Sequence, residues 1–186
     1  MPSAPIDSPD VGRSDTTPAR DGSAYPELCG DMDFRIGRDG TWFYHGSPIG
    51  RKPLVRLFST VLRRDADGSF WLVTPVERVA VAVDDAPFVA VALTARGQGR
   101  CQTLRFRTNL DDEVEAGPDH PIRVVQDPVT GEPAPYVTVR EGLDALIARA
   151  IFYDLVALGI EDPEAGTLSV WSGGEAFELG ALDQEQ

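Results

Sequence analysis

The feature that most narrows the fold is a succession of short β-branched segments punctuated by turn residues. From Val79 onward VAVAV, FVAVALTA, CQTLRFRT and IRVV follow one another, separated by Asp-Asp-Ala-Pro, Gly-Gln-Gly and Ala-Gly-Pro-Asp-His-Pro. Val, Phe and Thr suit a pleated, half-buried surface and Gly, Pro and Asp end it, so these segments predict strands of an antiparallel meander. In LRFRTNL, Leu104, Phe106 and Thr108 alternate with Arg105, Arg107 and Asn109, one face for the core and one for water.

Upstream, DFRI and TWFY flank Arg-Asp-Gly, a hairpin signal in which Asp39-Gly40 accepts positive φ. Leu54, Leu57, Phe58, Val61 and Leu62 then recur at helical spacing, with Pro53 in the first turn and Arg63 and Arg64 near the C-terminal dipole. Asp67-Gly68 turns the chain into the strand FWLVTP, giving β-β-α-β. After YVTVR, the spacing predicts a second helix over Gly142–Leu158, apolar on two sides and stopped by Gly159. TLSVWS and AFEL close the chain as a hairpin across Gly173-Gly174. The order around the two helices repeats: residues 42–73 correspond loosely to residues 136–171, each strand, helix, glycine turn and aromatic-bearing strand.

The expected fold class is therefore α+β, with two small modules, each mostly antiparallel strands packed on a single amphipathic helix. The boundaries are a disordered tail over 1–24, an N-terminal module over 25–83 and a C-terminal module over 84–182. The tail offers little beyond Ile6 and Val11 to repay its ordering entropy. Across 186 residues, 42% hydrophobic content indicates a globular chain.

The formal charge of −13 disfavours coating nucleic acid or an anionic membrane, which both need a cationic surface. No run reaches the ~18 apolar residues of a membrane span, and no signal-peptide core is seen, so the cytoplasm is the expected location. Cys29 and Cys101 are too sparse for a disulfide framework or a zinc knuckle, and both read as reduced thiols.

The stretch GDMDFRIGRDGTWFYHGSPIGRKPLVRLFSTVLRRDADGSFWLVTPVE, followed by APFVAV, LRFRTNLDDEV, AGPDHPIRV, PYVTVREGLDALIARAIFYDLV and WSGG, resembles an uncharacterised bacterial family, domain of unknown function twelve-eighty-five. The resemblance covers about residues 29–180. It implies two α+β domains with recurring strand-helix-strand motifs and a suggested part in signal transduction. It brings no active site with it.

Charge is unevenly spread. Between Asp31 and Arg64 seven basic residues face three acidic ones, a net of +4, leaving −17 for the remainder. Trp42, Tyr44, His45, Arg51, Lys52 and Arg56 fall within fifteen positions, the mixture that stacks and charge-pairs a planar or anionic group. These six are the candidate ligand-binding residues, for a small anion or an acidic protein partner. Two arrangements stay open: the cations project away from the helix stripe into solvent, or Trp42 and Tyr44 are core and the cations dock on the acidic second module.

Other groupings carry less. Asp31, Asp33 and Asp39 lack the closing Glu of a calcium loop, so no metal is assigned. Asp111, Asp112, Glu113 and Glu115 read as turn chemistry. His45 and His120 sit in turns without ligand-spaced neighbours, and a triad from Ser47, His120 and Asp154 has no local support. Asp154 falls on the apolar stripe of the second helix and implies a buried ion pair with an arginine. No cofactor motif is present, and a non-catalytic regulatory or sensory protein is preferred over an enzyme with a site assembled from scattered residues.

Overall fold

The computed structural model describes residues 34–127 and 131–182. The expected tail over 1–24, and Cys29, Asp31 and Asp33, lie outside them. The first module contains β1 (Phe34–Ile36), β2 (Trp42–Tyr44), β3 (Ser47–Pro48), α1 (Lys52–Val61), β4 (Leu62–Arg64), β5 (Phe70–Val73) and β6 (Arg78–Val83). Its six strands form one sheet in the order β3-β2-β1-β6-β5-β4. Two antiparallel meanders thus meet through a parallel pairing of β1 with β6.

The second module begins with β7 (Phe88–Arg96), β8 (Thr103–Thr108), β9 (Glu113–Glu115), β10 (Ile122–Gln126), β11 (Pro133–Arg140) and β12 (Leu143–Ile147). Their order, β10-β11-β12-β7-β8-β9, repeats the plan of the first sheet, with β7 and β12 as the parallel pair. A tail of α2 (Arg149–Ala157), β13 (Ile160–Asp162), β14 (Thr167–Ser172) and β15 (Glu175–Ala181) adds a three-stranded sheet. The order meander, helix, meander therefore recurs, since β10 lies beside β15 as β1 lies beside β6, although no ladder joins β10 to β15.

The α+β class holds, and three local expectations change. Gly142–Leu158 is not one helix. Leu143, Ala145 and Ile147 alternate with Asp144 and Leu146, and this strand is paired on both sides, by β11 and by β7. A strand that finds two partners satisfies more backbone than a marginal helical turn can. The helix starts only after Ala148 and buries Leu155 completely, which leaves Asp154 exposed rather than in a buried ion pair.

The long meander is also interrupted. β6 closes the first sheet and β7 opens the second, so Asp84–Pro87 is the crossing between modules. In α1, Val55 and Ser59 are the buried residues, Leu57 is 62% exposed, and Leu62 already belongs to β4. Phe58 and Val61 pack against the core as the stripe implies, whereas Leu57 turns to solvent and buried Ser59 meets Arg140 of the second module through its carbonyl.

Other local expectations stand. Gly40 turns the β1–β2 hairpin at φ 79°, and a Cβ there would collide with the Asn109 amide. Leu104, Phe106 and Thr108 are fully buried. Gly159 follows α2 for another reason than positive φ: a Cβ would come within 2.7 Å of Leu168 Cδ1.

The crossing is fastened on both sides. Arg35 Nε donates to Asp84 Oδ1 at 2.9 Å, and Arg38 Nε lies 3.1 Å from Asp85 Oδ2. The Tyr136 hydroxyl donates to Asp85 Oδ1 at 2.7 Å. Asn109 donates through Nδ2 to the Gly40 carbonyl at 3.2 Å and accepts the Val89 N–H at 3.1 Å.

Candidate functional site: a cationic seam between the modules

Turn chemistry in the second module builds one end of the seam. Buried Thr108 accepts the N–H groups of Leu110 and Asp112 on its hydroxyl, at 3.2 and 3.1 Å, and its carbonyl accepts that of Asp111 at 3.0 Å. The turn holds Asp111 at φ 66°. Its carboxylate receives Lys52 Nζ at 2.8 Å, Arg107 Nη1 at 3.4 Å and Arg56 Nη1 at 3.6 Å. The Lys52 hydrogen bond, followed by the charges of Lys52, Arg56 and Arg107, holds the Asp111 carboxyl below its ordinary value.

At the other end of α1 lies a cleft of about 810 Å³ bordered by both modules, with Arg63, Arg64 and Asp65 on one side and Arg140 and Glu141 on the other. Arg63 Nη1 donates to the carbonyls of Thr60 and Leu62 at 3.0 and 2.7 Å, closing the C-terminal end of α1. Arg64 lies over the Phe70 ring at 5.3 Å. Arg140 reaches across to the Ser59 carbonyl at 2.9 Å, with its guanidinium 5.3 Å from the Phe88 ring centre. Its Nε is buried and makes no hydrogen bond among the described residues.

None of these three arginines has a carboxylate within ion-pair distance among the described residues. Of the two acids among the described residues bordering the cleft, Asp65 is paired with Arg78 and Glu141 is exposed. Backbone carbonyls and rings hold the guanidiniums in place without neutralising them, so the cleft keeps a positive field.

The six residues singled out in the sequence do not converge. Trp42 is 1% exposed, a core residue whose Nε1 finds no partner among the described residues. Tyr44 ends β2 and packs against Phe34 and His45, with ring centres 4.9 and 4.2 Å apart. His45, at φ 46°, forms the β2–β3 turn, and Arg51 is the exposed N-cap of α1. Lys52 and Arg56 come together, on Asp111.

Arg63 and Arg64, expected from the sequence as partners of the α1 dipole, lie beyond the helix in β4. Arg140 gave no local signal, since its contact with Ser59 spans 81 positions. Elsewhere Asp39 caps the Thr41 N–H at 2.9 Å, and His120 Nδ1 meets the Thr138 carbonyl at 2.9 Å, so both serve turns. Among the described residues no group of three His, Cys, Asp or Glu is placed to hold a metal ion. No helix among them is long and apolar enough to cross a membrane.

Comparison with known proteins bears on both modules. The model for the DUF1285 N-terminal domain, a domain of unknown function, matches residues 21–86, and that for the DUF1285 C-terminal domain, a protein of unknown function, matches residues 87–179. The crystal structure of a DUF1285 family protein from Silicibacter pomeroyi DSS-3 is 54% identical, with a TM-score of 0.79 over 85% of each chain. A DUF1285 family protein from Shewanella baltica OS155 is 26% identical, with a TM-score of 0.53 over 68% of this chain and 92% of its own. No curated protein matches the chain. Both halves and the architecture agree: the chain belongs to the uncharacterised two-domain DUF1285 family.

Proposed function

We propose that this protein is a non-catalytic regulatory protein that binds a small, multiply charged anion in the cleft between its modules. The observation that carries this reading is the gathering of Arg63, Arg64 and Arg140 around one cleft, with none of the three ion-paired to a carboxylate among the described residues. Guanidinium groups already held by carbonyls and rings give an anion bidentate hydrogen bonds at little further ordering cost. An anion there touches β4 of one module and β11 of the other, so occupancy favours one spacing of the two, which is what a regulatory or signalling role needs. The exposed free thiol of Cys101 suits the reducing cytoplasm.

The test is calorimetric titration of the full chain with pyrophosphate at low and raised salt. Binding is expected, weaker at high salt. Arg64→Ala removes one charge-assisted contact and is expected to weaken binding about tenfold or more. No binding, or equal affinity for wild type and variant, overturns the reading.

A further inference from the structure

On the side of α1 away from Lys52 and Arg56, a cavity of about 380 Å³ opens between the helix and its own sheet, beside the edge-on contact of Phe58 with Phe34 at 5.3 Å between ring centres. Leu54 and Phe58 of α1 form one wall, and Phe34, Tyr44, Leu72 and Val79 of the sheet form much of the rest. Helices ordinarily seat on sheets at near-crystalline density, so an apolar space of this size beside the core has the dimensions of a ligand pocket rather than of a packing void.

Among the described residues one charged side chain borders it, that of Glu77. Thr74 fixes the turn before it, its hydroxyl accepting the Glu77 N–H at 3.1 Å and donating to the Glu77 carbonyl at 3.2 Å. The Glu77 carboxylate has no hydrogen-bond or ion-pair partner among the described residues. Strand alternation puts Glu77 and Val79 on the cavity face and turns Arg78 to the other, where it lies 4.1 Å from the Trp71 ring centre and pairs with Asp65. The neighbouring cation is therefore committed elsewhere.

An apolar chamber with three aromatic rings and a single unmatched carboxylate favours a ligand with an apolar body and a positive head. Aromatic faces and carboxylate both attract a cation, and the same carboxylate repels an anionic head. We propose that this cavity is a binding site for an amphipathic organic cation of the alkylammonium class, separate from the anion cleft and carried by the first module alone.

Titration of the full chain with n-octylammonium, octan-1-ol and octanoate, read by calorimetry, tests the site. Octylammonium is expected to bind about tenfold or more tightly than octanoate, with octan-1-ol between them. Glu77→Gln, at a partly exposed position, is expected to erase that order while leaving octan-1-ol affinity and the circular dichroism spectrum unchanged. Leu54→Trp, which fills the chamber, is expected to abolish binding of all three in a chain that still folds. Failure of every probe to bind, octanoate binding as well as octylammonium, or an unchanged preference in Glu77→Gln overturns the proposal. Pyrophosphate binding measured on the same variants separates this outcome from that of the cleft.

Discussion

Lys52 Nζ lies 2.9 Å from Asp111 Oδ1 and 2.8 Å from Oδ2, so the first residue of α1 is pinned to a turn of the second module. Arg56 and Arg107 reach the same carboxylate. One acid thus holds three cations together, two of them from the other module.

Asp111→Asn tests that relationship without disturbing the turn, because Asn tolerates the positive φ that Asp111 adopts. The variant is expected to melt at lower temperature, and added salt is expected to shrink the difference. The Asp111 carboxyl is held below its ordinary value of 3.8, first by the Lys52 hydrogen bond. Its contribution is therefore fully present above that value and is lost as pH falls through the lower folded value. Thermal melts between pH 2 and 6 should show a shallower acid limb for the variant; identical limbs would count against the pin.

Tyr136 gives the opposite pH signature. Burial, and then the hydrogen bond to Asp85, push its phenol up to about 12, because ionisation would set two negative charges side by side. A raised acid pKa contributes stability that is present below the ordinary value of 10.0 and is lost as pH rises toward 12. Ultraviolet titration is expected to show one tyrosine ionising late, and that component should vanish in Tyr136→Phe.

Leu155 and Leu57 separate tertiary burial from helical periodicity. Leu155 is fully buried and Leu57 is 62% exposed. Leu155→Ala is expected to cost about 2–5 kcal/mol by urea unfolding, the range for a core leucine, whereas Leu57→Ala should stay within about 0.5 kcal/mol. Equal costs would contradict the way α1 is seated.

Ser172 ties the terminal sheet to the second module's main sheet. Its buried hydroxyl accepts the Leu104 N–H at 2.9 Å and donates to the Ala116 carbonyl at 2.7 Å. Ser172→Ala leaves two buried backbone groups unpaired and is expected to cost about 1–3 kcal/mol. Ser172→Gly should be at least as damaging, and amide exchange at Leu104 should accelerate in both variants.

The amino-acid sequence determined by itself what depends on neighbours a few positions apart. Period-two alternation specified β8, with Leu104 and Phe106 inward and Arg105 and Arg107 outward. Asp-Gly and Gly-Gly pairs specified the β1–β2 and β14–β15 hairpins and the turn before β5, since φ near +60 to +90° strains most side chains. The α+β class was legible for the same reason, whereas the short strands directly flanking each helix, β3 and β4, β12 and β13, were not.

What only the tertiary structure decided depends on groups far apart in the chain. Leu143–Ile147 carries apolar residues at both helical and strand spacing, and partners on β11 and β7 selected the strand. The charge of residues 31–64 was plain, yet its division was not: Lys52 and Arg56 meet Asp111, while Arg63 and Arg64 face Arg140 across the cleft. Ion pairs and unmatched charges are properties of distance in space. A chain folded through two parallel strand crossings sets those distances by its topology, which short-range periodicity does not encode.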